Sequence, residues 1–436
     1  MLAPMQTLIK KLVKAESGEV KALLWSFAYF FFLLSTYYML QPLRDAMGSE
    51  GGTRSLSWLF LATFAATLIT VPFQSALAAK LPRAKFIPVV YLFLVANMLV
   101  FWFLMRSHIA TVGVARAFFI WTTVFSVFTV SVFWSFMADM YSSEQSKRLF
   151  GFIGAGGSIG SILGPLITRH LVEPIGVANL LLVASGLLIL AVFCANRLEG
   201  AAAEAQAATK GFVAASAGRE KKPVGGGMFD GFGLLFKSSY LGGIGLWVFL
   251  LSLAGTFLYF ILQGVVADAH LDAAARTKVF ATIAQWVGIL SLVMQVLVTG
   301  RIISKIGTGK SAALVALVFV IGFLALAASP ILMVAAIFQV AQRATTFGIA
   351  NLARESLWTV VSREEKFKAK NIIDGAVFRG ADALNAQIFN GLSALMKVPA
   401  VAIVGAGIAV GWVMLSLGLG RAQEKRAQLQ AQTAKT

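Results

Sequence analysis

Apolar runs of about twenty residues recur along the whole chain, and they constrain its fold more than any other feature. A helical run of this length spans the ~30 Å hydrocarbon core of a bilayer. Hydrophobic residues make up 58% and charged residues 13% of the chain, whereas soluble domains carry about 25% charged residues. The runs lack the ~10-residue alternation of an outer-membrane β-barrel. The sequence therefore predicts an all-α membrane protein.

The positions of the runs predict twelve transmembrane helices. The predicted spans are 22–43, 55–79, 86–105, 112–140, 150–171, 176–196, 240–266, 279–300, 310–328, 331–361, 371–396 and 399–419. Most Lys and Arg residues then fall in the tails and loops on the side of the N-terminus, which the positive-inside rule places in the cytoplasm. We therefore expect a multi-pass protein of a bacterial inner membrane with both termini cytoplasmic. The same rule explains the net charge of +18, so the lipid bilayer is an expected partner and nucleic acid is not.

The predicted spans divide into two groups of six. The predicted domains are a cytoplasmic basic arm (1–21), an N-terminal six-helix bundle (22–196), a flexible cytoplasmic linker (197–239), a C-terminal six-helix bundle (240–419) and a cytoplasmic basic tail (420–436). The linker is rich in Ala and Gly, a composition typical of flexible chain. Similar charged links follow the fourth span (SSEQSKR) and the tenth span (SREEKFK). This weak internal symmetry is typical of transporters built from repeats.

Charged residues inside the spans carry the functional hypothesis. Arg343 and Arg354 both fall in the tenth span, at a separation that puts them on one face of an α-helix. A charge near the bilayer centre costs about 2.5–3.5 kcal/mol on insertion scales, so it usually faces a water-filled pathway. In the alternative interpretation, both arginines pair with Glu355, Asp374 and Asp382 and simply hold helices together.

Polar faces distinguish the first, fourth, seventh and tenth spans from the others. The third, ninth and twelfth spans are nearly free of polar side chains and are predicted to face lipid. The polar faces predict that the first helix of each triplet lines a cavity. Their members are Tyr37, Gln41, Arg44 and Asp45 in the first span; Arg116, Thr123, Ser126 and Trp134 in the fourth; and Ser252, Thr256, Tyr259 and Gln263 in the seventh.

The glycine-rich stretch GFIGAGGSIGSILGP (Gly151–Pro165) lies in an apolar run with no βαβ context, which argues against a dinucleotide fingerprint. Gly156, Gly160 and Gly164 recur at a spacing that lets helices approach closely in a membrane. We expect this stretch to serve helix packing.

Three stretches resemble a known family of transporters. They are YYMLQPLRDAMG (Tyr37–Gly48), FWSFMADMYSSEQSKRLFGFIGAGGSIG (Phe133–Gly160) and ARESLWTVVSREEKFKAKNIIDGAVFRGADAL (Ala353–Leu384). Each is similar to a part of the ATP/ADP carrier (nucleotide transporter) family of bacteria and plastids and its shorter bacterial relatives. Twelve spans in two halves resemble the major facilitator superfamily, which implies two pseudo-symmetric six-helix bundles. The chain is shorter than typical nucleotide carriers, and its cations within the membrane are arginines instead of their phosphate-binding lysines.

The expected function is secondary active transport of a small anionic solute by alternating access, through exchange or proton coupling. The solute is nucleotide-like or another phosphate or carboxylate compound, since guanidinium groups grip such anions through paired hydrogen bonds. The predicted binding residues are Arg44, Arg116, Arg343, Arg354, Arg379, Tyr37, Gln41, Trp134, Tyr259 and Gln263, and the predicted coupling or gate residues are Asp45, Asp139, Glu355, Asp374 and Asp382.

Two alternatives stay open: an exporter of hydrophobic drugs or metabolites, and a scaffold or sensor that kept a transporter fold without transport. No catalytic constellation is apparent, so we expect neither an enzyme nor a cofactor. His108, His170 and His270 have no metal-site spacing. We expect a monomer.

Overall fold

A computed structural model of the chain describes residues 19–49, 52–80, 83–107, 111–208, 238–362, 369–370, 372–373 and 377–433. The regular elements in these ranges are helices. The α-helices are α1 (Val20–Gly48), α2 (Gly52–Lys80), α3 (Arg83–Arg106), α4 (Thr111–Met140), α5 (Ser143–Ile175), α6 (Leu180–Ala208), α7 (Ser239–Asp268), α8 (Ala273–Val293), α9 (Gly300–Ala328), α10 (Leu332–Thr345), α11 (Asn351–Leu357), α12 (Phe378–Leu395) and α13 (Val398–Thr433).

Three short segments of other helical type complete the described chain. A π-helical turn, Met294–Thr299, joins α8 to α9, and another, Thr346–Ala350, joins α10 to α11. A 3₁₀ turn, Trp358–Val360, follows α11. The predicted tenth span is therefore one helical rod with a π-helical turn in its middle.

The helices overlap every stretch where a span was predicted, and the all-helical prediction is confirmed. Within the described residues, ten helices are long and apolar enough to cross a membrane. The two other predicted spans correspond to α2, whose described apolar part is Ser55–Thr70, and to the polar α12. The count of twelve spans therefore stays a prediction.

Several predicted boundaries were wrong, each for a local reason. Helix α5 starts at Ser143 instead of 150, because Ser142 and Gln145 form a capping box that satisfies backbone N–H groups at the helix start. The expected linker is helical as far as Ala208, which fits the helix-favouring Ala and Glu residues there. Helix α9 starts at Gly300 instead of 310 and is kinked at Gly307, whose φ of 81° only glycine adopts readily.

The described residues form two compact units. One comprises those within Met1–Gly48, Ala65–Lys221 and Asp272–Gln285, and the other those within Ser49–Phe64, Lys222–Leu271 and Trp286–Thr436. The unit boundary thus passes through α2 and α8. The predicted limits of the two six-helix bundles stay a prediction.

In the first unit, α1 packs against α4, α5 and α6. Helix α1 approaches α5 closely because the glycines on the facing surface of α5 have no side chains. A Cβ atom added at Gly160 would lie 2.6 Å from the Phe31 carbonyl oxygen, and one at Gly164 would lie 2.6 Å from the Ser35 carbonyl oxygen. The structure confirms the packing role predicted for this glycine stretch.

In the second unit, α7 is the most enclosed helix and packs against α10, α12 and α13. Trp247 of α7 meets Trp412 of α13 with ring centroids 5.4 Å apart. Helices α9 and α13 approach backbone to backbone where Gly309 meets Gly420. The polar face of α7 is therefore held inside this unit by large rings and close helix contacts.

Helix α13 continues beyond the predicted last span. Its extension forms hydrogen bonds with the end of the α10–α11 rod. The Gln423 side chain donates to the Ser356 carbonyl oxygen at 2.7 Å, and Gln430 donates to that of Val360 at 3.2 Å. The Tyr240 hydroxyl donates to the Leu357 carbonyl oxygen at 2.7 Å. Together these side chains satisfy carbonyl groups that a helix end leaves unpaired.

A buried polar cluster joins the beginnings of α1 and α5. Gln145 donates to Glu19 at 2.8 Å, and the Arg148 guanidinium lies 3.2 Å from the same carboxylate. Next to them the Ser26 and Tyr141 hydroxyls lie 2.7 Å apart. Burial raises the pKa of Tyr141 to about 12, with an opposing effect of the Ser26 hydrogen bond, so this phenol stays protonated at neutral pH.

We expect Gly160→Ala to lower the melting temperature of the purified protein by several degrees. The new methyl group would collide with the α1 backbone, and such overpacking costs about 1–3 kcal/mol. The matched control is Gly154→Ala on the same helix, where a Cβ meets nothing within 4 Å. The control should be neutral or slightly stabilising, because alanine favours the helix by about 0.5–1 kcal/mol. Equal melting temperatures for both variants would contradict the close packing.

We expect Glu19 and Arg148 to be energetically coupled by about 1–2 kcal/mol, more than the ~0.5 kcal/mol of an exposed pair, because the Glu19 side chain is only 9% exposed. The coupling follows from the unfolding free energies of Glu19→Gln, Arg148→Gln and the double variant in detergent. If the double variant loses the sum of the two single losses in unfolding free energy, the ion pair contributes no coupling energy.

Candidate functional site

The first predicted cation, Arg44, sits near the end of α1 against an aromatic ring. Its guanidinium carbon lies 4.1 Å from the centre of the Phe119 ring, a cation–π geometry. One guanidinium nitrogen lies 3.5 Å from the carboxylate of Asp45, which is buried. Arg44 itself is half-buried. The structure therefore brings the predicted Arg44 and Asp45 together and adds Phe119, which sequence reasoning missed.

The neutral residues predicted with Arg44 have mixed surroundings. Gln41 is buried one turn earlier on α1, and Tyr37 is half-buried with its ring 4.9 Å from Tyr38. Trp134 packs against the rings of Phe30, Phe133 and Phe150 at 5.3–5.4 Å. Trp134 therefore belongs in large part to the apolar packing of its unit.

The charged residues predicted on α4 lie on its surface. Arg116 and Asp139 are both exposed, and neither makes an ion pair with a residue in the described part of the chain. Thr123 and Ser126, on the same predicted face as Arg116, bond their own helix backbone at 3.3 and 2.8 Å. The gate ion pair expected for Asp139 stays a prediction.

The tenth span places its arginines on either side of the π-helical turn. Arg343 and Arg354 are half-buried, and the buried carboxamides of Gln339 and Gln342 lie within one turn of Arg343. The prediction that both arginines share a face assumed an unbroken α-helix. That assumption is wrong, since Thr346–Ala350 winds with a different period.

The π-helical turn after α10 packs against the one after α8. A Cβ at Gly348 would lie 2.8 Å from the Met294 side chain, and Gln295 donates to the Phe347 carbonyl oxygen at 3.4 Å. Single π-helical turns are rare and occur frequently at functional sites. Two π-helical turns are in contact here, about one turn from Arg343. This part of the second unit is therefore a candidate functional site.

Glu355 forms its ion pair with Lys370 and not with Arg343 or Arg354, the arginines of the same predicted span. Its two carboxylate oxygens each accept a hydrogen bond from the Lys370 ammonium at 2.7 Å. The Glu355 side chain is 47% exposed, as expected for a surface ion pair at a helix end. Sequence reasoning predicted Glu355 as a coupling or gate residue but did not assign Lys370 as its partner.

A hydrogen-bonded chain links α7 to α12 inside the second unit. The Ser252 hydroxyl donates to the Asp382 carboxylate at 2.6 Å. The Asn385 side-chain nitrogen donates to the Ser252 oxygen at 3.0 Å. Ser252 is 4% and Asn385 0% exposed, and Asp382 is half-buried. Hence the predicted Asp382 accepts a hydrogen bond from Ser252, which in turn accepts one from Asn385; neither Ser252 nor Asn385 was among the predicted binding or gate residues.

Two buried carboxamides of this unit, those of Gln263 and Gln339, have side-chain atoms without hydrogen-bond partners among the described residues. Gln263 is 2% exposed, and neither its side-chain oxygen nor its nitrogen has a hydrogen-bond partner among the described residues. The side-chain oxygen of Gln339 likewise has no partner there. Tyr259 is buried beside the ring of Phe60 at 5.7 Å. Buried amides without partners are costly, so they are typical of places where another molecule supplies the hydrogen bond.

Two predicted residues lie outside this description: Asp374, and the side chain of Arg379. The grouping of all predicted residues around one shared site stays a prediction. Of the histidines, His170 and His270 are exposed and His108 lies outside the described residues. In the part of the chain that the structure describes, no group of three His, Cys, Asp or Glu side chains could hold a metal ion.

Known structures resemble this architecture along nearly its whole length. The nucleoside transporter NupG superposes with a TM-score of 0.60 at 13% sequence identity, over 93% of this chain and 99% of that chain; a mutant of NupG gives the same score over 92% and 100%. A bacterial homolog to the human lysosomal transporter Spinster, in an inward-facing and unoccupied conformation, gives 0.50 at 13% identity, over 92% and 97%. At such identity the likeness concerns the fold.

Sequence comparison supplies the family. No curated protein matches the chain significantly. The family model described as Major Facilitator Superfamily, however, matches residues 130–362, which is more than half of the chain. With its helical architecture and its transporter-like fold, the chain belongs to the Major Facilitator Superfamily.

Proposed function

We propose that this protein is a secondary active transporter that moves a small anionic solute across a bacterial inner membrane by alternating access. The anion is nucleotide-like or another phosphate or carboxylate compound. The family and the fold support transport, and the arginine residues in the spans support an anion. The resemblance of three stretches to ATP/ADP carriers favours a nucleotide-like member of this class.

Arg343 is the observation that carries the proposal. It is half-buried in a helix long and apolar enough to cross a membrane. Its guanidinium has neither an ion pair nor a hydrogen bond with the described residues. A guanidinium in such surroundings is costly unless an anion or water satisfies it. A phosphate or carboxylate group offers two oxygens that match its donor geometry.

Buried carboxamides in the second unit, one of them a turn from Arg343, support a solute with a polar part besides its charge. Gln339 and Gln263 have side-chain atoms that find no hydrogen-bond partner among the described residues. A carboxamide can donate and accept at once, so it suits an uncharged edge that carries both kinds of group. Nucleotides combine such an edge with a phosphate. NupG is a nucleoside transporter, but the likeness of fold alone does not transfer its solute to this chain.

Two other functions predict outcomes that differ from those of an anion carrier. In an exporter of hydrophobic compounds, Arg343→Gln would leave substrate preference intact. A scaffold or sensor without transport would show neither a thermal shift nor flux with any anion. These outcomes separate the alternatives from the anion carrier without knowledge of the natural solute.

We expect a panel of ADP, AMP, inorganic phosphate, glucose 6-phosphate and citrate to contain at least one compound that stabilises the purified protein. A ligand at about 100 times its Kd adds ~2.7 kcal/mol to the free energy of unfolding, enough for a clear rise in melting temperature. The same compound should exchange across proteoliposomes. The absence of any shift and any exchange over the panel would contradict the proposal.

We expect Arg343→Gln to reduce exchange of that compound by about ten- to a hundredfold, since a charge-assisted hydrogen bond contributes about 1.5–3 kcal/mol. Arg343→Lys should retain part of the activity, because the charge remains but the paired donors do not. The matched control is Arg301→Gln, an exposed arginine on α9 that bonds its own helix backbone. Equal exchange by Arg343→Gln and the control would remove Arg343 from the site.

A further inference from the structure

We infer that the crossing of α9 and α13 carries a binding site for the headgroup of an anionic phospholipid. The cations of this site are Lys310, Arg421 and Lys425, none of which belongs to the proposed solute site. All three lie in the second unit, at the ends of the two helices that are predicted to face the cytoplasm. The inference concerns the lipid around the protein, so it does not depend on which solute is carried.

Two glycines bring the backbones of α9 and α13 together. A Cβ atom added at Gly309 would lie 2.6 Å from the Cα atom of Gly420. The two helices run antiparallel, because Phe319, later on α9, meets Trp412, earlier on α13, with ring centroids 5.3 Å apart. The crossing therefore fixes the neighbouring residues of both helices relative to each other.

A cation directly follows each of these glycines along the chain: Lys310 on α9 and Arg421 on α13. Successive residues of an α-helix are rotated by about 100° around its axis. Seen from one end of an antiparallel pair, the two rotations have opposite senses, so both cations turn to the same side of the pair. Lys425 lies one turn after Arg421 on the same helix face. Three cations are thus grouped on one surface of the second unit.

These three side chains are accessible to a ligand. Each is exposed, and none makes an ion pair or a side-chain hydrogen bond with a described residue. The carboxylate of Glu424 lies toward α9, 3.8 Å from the position of a Cβ atom at Gly307. Glu424 is the one acidic residue of the helix ends 300–310 and 420–433, whose basic residues are Arg301, Lys305, Lys310, Arg421, Lys425 and Arg426. The surface therefore keeps a net positive charge.

Exposed apolar side chains continue from the cations along both helices. They are Leu317, Ile321 and Leu324 after Lys310 on α9, and Met414, Val410 and Ile403 before Arg421 on α13. Successive members of each set lie three, four or seven residues apart, which keeps them on the helix face of their cation. Cations at one end of an apolar surface match a phospholipid, in which a charged headgroup is joined to acyl chains. A soluble phosphate compound would use the cations alone.

An anionic headgroup has the chemistry that these cations require. Its phosphate accepts charge-assisted hydrogen bonds from guanidinium and ammonium groups. Basic pockets between transmembrane helices on the cytoplasmic side bind anionic headgroups, and each Lys or Arg near such a membrane surface strengthens binding by about fivefold. Phosphatidylcholine has a compensating positive charge in its headgroup, so it lacks the net charge that the surface selects.

Native mass spectrometry of the purified full-length protein in detergent tests the site. We expect the protein to bind phosphatidylglycerol at least tenfold more than phosphatidylcholine with the same acyl chains. The double variant Lys310→Gln, Arg421→Gln should lower phosphatidylglycerol binding at least fivefold. Equal binding of the two lipids by the unmodified protein would overturn the inference, and so would unchanged phosphatidylglycerol binding in the double variant.

A single substitution in each unit separates a specific site from general surface charge. Arg421→Gln removes a cation of the site. The matched control, Arg197→Gln, removes an exposed arginine of α6 in the first unit, whose guanidinium carbon lies 5.0 Å from the centre of the Phe193 ring. Arg421→Gln should lower phosphatidylglycerol binding about fivefold, and Arg197→Gln less than twofold. Equal losses in the two variants would overturn the site.

Soluble glycerol 3-phosphate distinguishes a lipid headgroup from a free phosphate. It has the phosphate of phosphatidylglycerol but no acyl chain to lie along the apolar faces of α9 and α13. We expect an equal concentration of glycerol 3-phosphate to leave phosphatidylglycerol bound to the unmodified protein. Displacement of the lipid by this compound would assign the cations to a soluble anion and overturn the lipid site.

Discussion

The high cost of a charge in an apolar span is the constraint on which this structure depends. Two ion pairs among the described residues avoid this cost because they lie at helix ends: Glu19 with Arg148, and Glu355 with Lys370. Arg44 reduces it through an aromatic ring and an adjacent carboxylate. Arg343 has no such partner among the described residues. This difference explains why Arg343, within a helix apolar enough to cross a membrane, carries the functional conclusion.

The fold was largely predictable because the bilayer leaves the chain few choices. Apolar runs of about twenty residues must form helices when their backbone groups cannot reach water. The glycines of α5 were recognisable as a packing surface, and the structure shows the α1 backbone against them. The helix ends were less predictable. The π-helical turns and the helical extension to Ala208 depend on contacts and local propensities that hydropathy does not report.

The candidate site was predictable as a list of polar residues but not as a set of partners. Helical spacing placed Ser252, Thr256, Tyr259 and Gln263 on one face, and all four are buried in the structure. Spacing could not show that Ser252 bonds Asp382, since that contact joins residues 130 positions apart. Spacing also gave no sign of the π-helical turn between Arg343 and Arg354, so their common face stays a prediction.

The central claim is that a guanidinium group binds the negative charge of the solute. Comparison of AMP with adenosine in thermal unfolding of the purified protein tests it most directly, because the two compounds differ only in the phosphate. The account predicts that AMP raises the melting temperature of the unmodified protein, that adenosine does not, and that Arg343→Gln abolishes the difference. Equal stabilisation by adenosine and AMP would contradict it.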